Sequence, residues 1–208
     1  MLQLTNVRKF YNKHLVLEIP SLQLGSGFFW VKGANGSGKT TLLKMIAGLI
    51  PFEGDIVYRD ISLRRNPLAY RQNISWADAE PLFPAYMTGM DLIFLYCSIR
   101  KVPSGEAETL LRLFNMHGYV NNTIGTYSAG MTKKLSLVLA FLGDPPLVVL
   151  DEPLITLDPD TLTVVCTYLL EKHANSETTF LMSSHQEPDP RLLLSGKALI
   201  VNNRNVIN

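Results

Sequence analysis

Apolar and polar positions along the chain alternate at first and then change period. Leu2-Gln3-Leu4-Thr5 alternates strictly, which predicts a strand over 2–7 rather than a secretory leader, and 15–19 reads as a second strand. Gly27-Phe28-Phe29-Trp30-Val31 is a short apolar run of the buried-strand type. From Gly38 to Ala47 the period becomes helical, with Leu42, Leu43 and Ile46 on one face, and Gly48 and Pro51 end the helix. A strand opens at Gly54, and residues 61–73 read as polar and irregular. Residues 79–143 read as helical. Thr88–Arg100 carries Met90, Ile93, Phe94 and Cys97 as a core stripe, and 104–116 repeats the pattern behind a Ser104 cap. A third helix runs from after Met131 to about Leu142.

Leu147–Leu150 is an unbroken apolar run, the mark of a parallel strand buried on both faces, and it ends in Asp151-Glu152. A loop over 153–158, a helix over 160–173 and a buried strand over 178–183 follow. Residues 197–207 predict a hairpin turning at Asn202-Asn203. The order of elements predicts an α/β fold with a mostly parallel sheet and a single compact domain.

Composition narrows the reading only slightly. The chain has 208 residues, a net charge of +1 and two cysteines, Cys97 and Cys166, both inside apolar helical patterns. That charge gives no argument for nucleic acid, and the cysteines read as reduced core residues. No apolar stretch approaches the ~18 residues that would span a bilayer. His14, His117 and His173 read as structural.

The chemistry concentrates in Gly33-Ala34-Asn35-Gly36-Ser37-Gly38-Lys39-Thr40-Thr41, which fits G-x-x-x-x-G-K-[ST] at every fixed position. Glycines let consecutive amides turn inward as an anion nest, Lys39 adds a mobile charge for outer phosphates, and the Thr40 hydroxyl can ligate Mg²⁺. The strand before this loop and the helix after it supply the expected setting, because the helix N-terminus is positive. Asp151 arrives at the sheet edge where ligands of such folds bind and can hold Mg²⁺, while Glu152 can orient a water. His185 follows the 178–183 strand, in Ser184-His185. Tyr11 fits either a strand-end aromatic or a base-stacking ring.

Taken together, the chain resembles the ATP-binding subunits of ABC transporters over essentially its whole length. Tyr127-Ser128-Ala129-Gly130-Met131 is similar to the family signature and lies 23 positions before Asp151 (128 to 151). Leu150-Asp151-Glu152-Pro153 resembles its acidic strand end, Leu157-Asp158 its dimer loop, and His185 its switch histidine. The resemblance implies a P-loop NTPase core with an N-terminal antiparallel β-subdomain and a helical subdomain. The core would comprise 1–78 and 144–208, and the helical subdomain 79–143. It further implies ATP and Mg²⁺, with Lys39 and loop residues 33–41 on the phosphates and Tyr11 on adenine. Thr40 and Asp151 would hold the metal, and Glu152 and His185 would serve catalysis. Ser128, Ala129, Gly130 and Met131 would cap the nucleotide of a second, head-to-tail ATP-binding subunit, Asp158 would lie at that dimer contact, and a separate polytopic membrane subunit would hold the chain at the inner face of the cell membrane. Two departures stand out. Ala129 replaces a common glycine, and Ala79 occupies the slot of a glutamine that reaches metal and water. The short chain and the form of the signature are more similar to exporters than to importers. A haem-exporter ATPase of cytochrome c maturation, a soluble non-transport ATPase and a non-hydrolysing regulator stay open as alternatives.

Overall fold

A computed structural model describes residues 1–184, 190, 192 and 196–207, apart from the Ser104 side chain. Its strands are β1 (Leu2–Tyr11), β2 (His14–Leu24), β3 (Phe28–Lys32), β4 (Glu53–Tyr58), β5 (Ile61–Ser62), β6 (Ile74–Ala77), β7 (Leu147–Leu150), β8 (Thr179–Ser183), β9 (Gly196–Asn202) and β10 (Asn205–Ile207). Its α-helices are α1 (Lys39–Ile46), α2 (Pro67–Gln72), α3 (Gly89–Arg100), α4 (Ser104–Leu113), α5 (Ala129–Phe141) and α6 (Pro159–Ser176).

Two sheets divide the strands. The antiparallel sheet has the order β2-β1-β4-β5, and the second has the order β10-β9-β3-β8-β7-β6. Within the second, β9, β3, β8, β7 and β6 run parallel and only β10 is reversed. The apolar runs of β3 and β7 are buried on both faces. Phe28, Trp30, Val148 and Leu150 face one core, shared with α3 to α6, and Phe29, Val31, Leu147 and Val149 face the other, shared with α1 and the antiparallel sheet. Each such side chain stabilises the fold by about 1.5–3 kcal/mol, which is why these strands need no polar face. The architecture is the expected one: a P-loop core with a parallel-rich sheet, an N-terminal antiparallel sheet and helices.

Several local expectations are corrected. Residues 61–73 are not irregular, since they hold β5 and α2, with Asn66 capping α2 through Ala69 N and Tyr70 fully buried against the Ile46 carbonyl. Residues 74–77 form β6 at the sheet edge, and the helical pattern begins only at Gly89, where Thr88 and Asp91 make a capping box. Phe94 is not core. It is 65% exposed, while Leu92 and Ile93 are buried, because a helix apolar on nearly all sides does not reveal which face packs. Helix α4 has Pro103 at its capping position, and the cap expected of the Ser104 side chain lies outside the described residues. Lys9, Phe10 and Tyr11 belong to β1 rather than to a connection, because Tyr11 still pairs with His14. The C-terminal hairpin turns at Asn203-Arg204, one residue later than expected, with both residues at positive φ. Cys97 is half-buried and Cys166 buried, both outside any disulfide, and His173 is structural, its Nδ1 2.9 Å from the Thr178 carbonyl.

Candidate functional site

Close approach dictates the glycines that matter in the loop between β3 and α1. A Cβ on Gly33 would lie 2.5 Å from both Ser37 Oγ and the Val201 carbonyl, so no other residue fits there. Gly38, at φ 107°, is the N-cap of α1 and offers no side chain to its first-turn amides, which stay open to an anion. Ser37 Oγ is buried with no hydrogen-bond partner among the described residues, as suits a hydroxyl meant for a ligand. Lys39 is nearly buried and lays its ammonium on the loop's own carbonyls, donating to Gly33 O at 2.9 Å and Ala34 O at 3.2 Å. Asn35, Gly36 and Thr40 are exposed, and Thr41 is half-buried.

The sheet brings the acids to this loop. Thr40 Oγ1 donates to Asp151 Oδ2 at 2.8 Å across 111 positions of sequence. Asp151 is 2% exposed and Glu152 8%. Glu152 adopts φ 46°, a left-handed conformation that turns the chain out of the strand direction just past β7. Ser183 fixes both acids: its hydroxyl donates to Asp151 Oδ1 at 2.5 Å and accepts from the Glu152 amide at 2.9 Å. Sequence reading missed Ser183. Its place follows from the register of the parallel strands, which pairs Leu150 with Met182 and so brings the residues after them together.

The signature-like segment builds a second group. Ser128 caps α5, its Oγ accepting from Met131 N at 3.2 Å while Met131 Sδ accepts from Ser128 N at 3.5 Å. Gly130 has no room for a side chain, since a Cβ would meet the Thr156 carbonyl at 2.9 Å, whereas Ala129 is exposed in the first turn and accommodates its methyl. Asp158 caps α6 through Thr161 N at 2.9 Å and Thr161 Oγ1 at 2.7 Å, and it pairs with Lys134 of α5 at 3.3 Å. The hydrogen bonds from Thr161 hold its carboxyl well below the usual carboxylate range, with Lys134 adding to the effect. Tyr11 stands apart at the β1–β2 turn, 48% exposed, with Lys9 Nζ 4.7 Å from the ring centroid. His185 lies outside the described residues.

With this geometry in place, comparison with known proteins is direct. A family model for "ABC transporter" matches residues 21–155, well over half of the chain. The chain belongs to the ABC transporter family of ATP-binding proteins. This ABC protein is 34% identical over 172 residues to the cytochrome c biogenesis ATP-binding export protein CcmA of Reclinomonas americana, covering 80% of the chain and 76% of that relative. It is 30% identical over 212 residues to the human phospholipid-transporting ATPase ABCA7, covering 98% of the chain and 10% of that much longer protein. Among solved structures it resembles an ATP-binding subunit of an ABC transporter, with a TM-score of 0.87, 26% identity and 99% and 87% of the two chains covered. A dimeric ATP-binding cassette bound to ADP and phosphate shares the fold at a TM-score of 0.88 and 19% identity, covering 100% and 97% of the two chains. ABC ATPases bind and hydrolyse ATP, typically with Mg²⁺.

Proposed function

We propose that this chain is the ATP-hydrolysing subunit of an exporter whose membrane path is carried by a separate polytopic subunit. The observation that carries the reading is the 2.8 Å bond between Thr40 and Asp151, with Glu152 next in sequence. It unites a phosphate cradle, a metal-type oxygen pair and a base at one sheet edge. The donor set fits Mg²⁺, since one hydroxyl and one carboxylate are what that ion takes from a protein when phosphates and water complete its shell. Among the described residues no cluster of three acidic, histidine or cysteine side chains offers an all-protein metal cage. Thr40 and Asp151 would hold Mg²⁺, which would supply positive charge against the phosphates.

The amides of residues 33–41 and the Lys39 ammonium hold the triphosphate, and Tyr11 stacks on the adenine. Glu152 takes a proton from a water as its oxygen attacks the γ-phosphorus and the bridging oxygen leaves with ADP, giving ADP and phosphate. His185 is assigned the γ-phosphate contact by resemblance alone. The open helix end at Ser128 to Met131 caps the nucleotide of a second ATP-binding subunit arranged head to tail, and Asp158 lies at that contact. Residues 79–143 act as a helical subdomain on a core of 1–78 and 144–208. A groove of about 240 Å³ lined by Trp76, Asp78, Glu80, Phe83, Tyr96 and the almost wholly exposed Leu82 supports docking of the membrane subunit. Attachment at the inner face of the membrane is assigned through the membrane subunit; among the described residues no helix is long and apolar enough to cross a membrane. The relative named as an export protein supports the direction and a role in cytochrome c maturation, and the phospholipid-transporting relative supports a lipid cargo as a second reading.

Steady-state ATPase measurements on the purified chain, with Lys39→Ala and Glu152→Gln beside it, test the reading. Lys39→Ala should lose tight ATP binding. Glu152→Gln should bind ATP, lose most turnover and shift from monomer to dimer with ATP in size-exclusion chromatography. Parental turnover in Glu152→Gln would remove that residue from the mechanism. Co-purification of a polytopic protein from solubilised membranes tests the transporter assignment.

A further inference from the structure

Helix α5 places two lysines side by side, and they sit in different surroundings. Lys134 makes the partly exposed pair with Asp158. Lys133 is only 1% exposed, a setting in which an ammonium survives only with firm partners. Its partners are two main-chain carbonyls of the loop after β6: Nζ donates to Asp78 O at 3.0 Å and to Ala79 O at 2.7 Å. The same loop is also held by Lys44 of α1, whose Nζ lies 3.3 Å from Asp78 Oδ2. A third tie comes from the Asp151 amide, which donates to Ala77 O at 2.9 Å. Residues 77–79 are therefore fixed to the phosphate-loop helix, to the acidic strand end and to the helix capped by Ser128. Burial pushes the Lys133 pKa down, while the carboxylates of Asp151, Asp78, Glu152 and Glu80 favour its charged form.

We propose that Lys133 is a positioning residue for ATP turnover, its buried ammonium fixing the 78–79 main chain against the Asp151–Glu152 strand end. The role rests on the ATPase reading above. A lysine kept only for packing would be replaceable by an apolar side chain of similar length at no cost to turnover. This one donates its protons to residues 78 and 79, adjacent to the Ala77 carbonyl that accepts from the Asp151 amide, so its loss should shift the acids while Lys39 and the loop amides stay in place. It also makes the loop and the Ser128 helix move together, because a single side chain spans them.

The test compares the full chain with Lys133→Met, which keeps the stem and removes charge and donors, and with Lys133→Gln, whose shorter amide regains one donor. For Lys133→Met we expect kcat to fall about tenfold or more with KM for ATP within about twofold, since a small misplacement at the reacting groups suffices. Amide hydrogen exchange across residues 78–83 should speed up by about tenfold. Lys133→Gln should lie between parent and Lys133→Met on both readouts, and it alone decides if the methionine variant does not fold. A folded variant with kcat within about twofold of parent, or with unchanged exchange at 78–83, overturns the proposal. A parent chain without turnover sinks the ATPase reading and the turnover role with it, while the exchange result still decides whether Lys133 fixes the loop.

Discussion

Thr40 of the phosphate-loop helix and Asp151 at the end of β7 are joined by a 2.8 Å hydrogen bond. The other carboxylate oxygen accepts from the Ser183 hydroxyl at 2.5 Å, so both oxygens of Asp151 are held by the chain's own side chains. Such preorganisation keeps a metal-type oxygen in place without reorganisation during the reaction.

Ser183→Ala follows directly. It releases Asp151 Oδ1 and leaves the buried Glu152 amide without its acceptor, which costs about 1–3 kcal/mol of stability. Turnover should fall about tenfold, the scale of losing an outer-shell partner at a metal site. ADP affinity should hardly change, because the phosphate cradle is untouched. Thermal melting, calorimetric ADP titration and ATPase rates separate the three effects, and an unchanged rate would remove Ser183 from the positioning of the acids.

Tyr11→Ala tests the second reading of an exposed aromatic. The ring is half-exposed at a turn and supports no core, so the fold should survive its removal. ATP affinity should weaken about fivefold, the equivalent of roughly 1 kcal/mol for one stacking contact. Unchanged affinity in a binding titration would return Tyr11 to the role of a strand-end aromatic.

Asp158→Ala should destabilise the chain by about 1 kcal/mol, as the loss of a helix N-cap does. The partly exposed Lys134 pair adds little. Folding lowers the pKa of this carboxyl, so its stabilising contribution is fully present above the unfolded value and fades as pH falls toward the folded one. The Tm gap between parent and variant should therefore be widest near neutral pH and narrow below about pH 4. A gap that stays constant from pH 7 to 3 would show that the carboxylate charge is not what caps the helix.

Legibility in the sequence follows how local the controlling interactions are. Leu147–Leu150 is readable because a strand buried on both faces writes itself as an unbroken apolar run, and the glycine loop is readable because backbone sterics fix its spacing. Helix α2 is not, since only Tyr70 of its six residues is buried and its packing partner is the Ile46 carbonyl, 24 positions away. Strand β6 breaks its own pattern with a buried Ser75 and a half-buried Trp76 at the sheet edge. Ser183 and Lys133 belong to a third kind. Their roles depend on which strands and helices become neighbours, and nothing within a few residues of either one announces it.

Ala79 poses the sharpest question about the site. Where the resemblance to the family leads one to expect a glutamine reaching metal and water, a methyl group can do neither. The structure narrows which neighbour could substitute. Asp78 is already engaged, its carboxylate 3.3 Å from Lys44 Nζ, and its carbonyl is taken by Lys133. Glu80 is exposed and remains available. Because Thr40, Asp151 and Glu152 are assembled without help from the side chain at position 79, the chain should hydrolyse ATP, though slowly. Ala79→Gln adds one neutral oxygen ligand or hydrogen-bond partner, so it should lower the Mg²⁺ concentration for half-maximal turnover by about fivefold, equivalent to ~1 kcal/mol. ATP affinity should stay within about twofold, since the cradle is unaltered. Glu80→Ala, measured alongside against free Mg²⁺, should leave the curve where it is. If instead Ala79→Gln has no effect while Glu80→Ala moves the curve to higher Mg²⁺, the neighbouring acid has taken over the missing role and position 79 is not an empty slot.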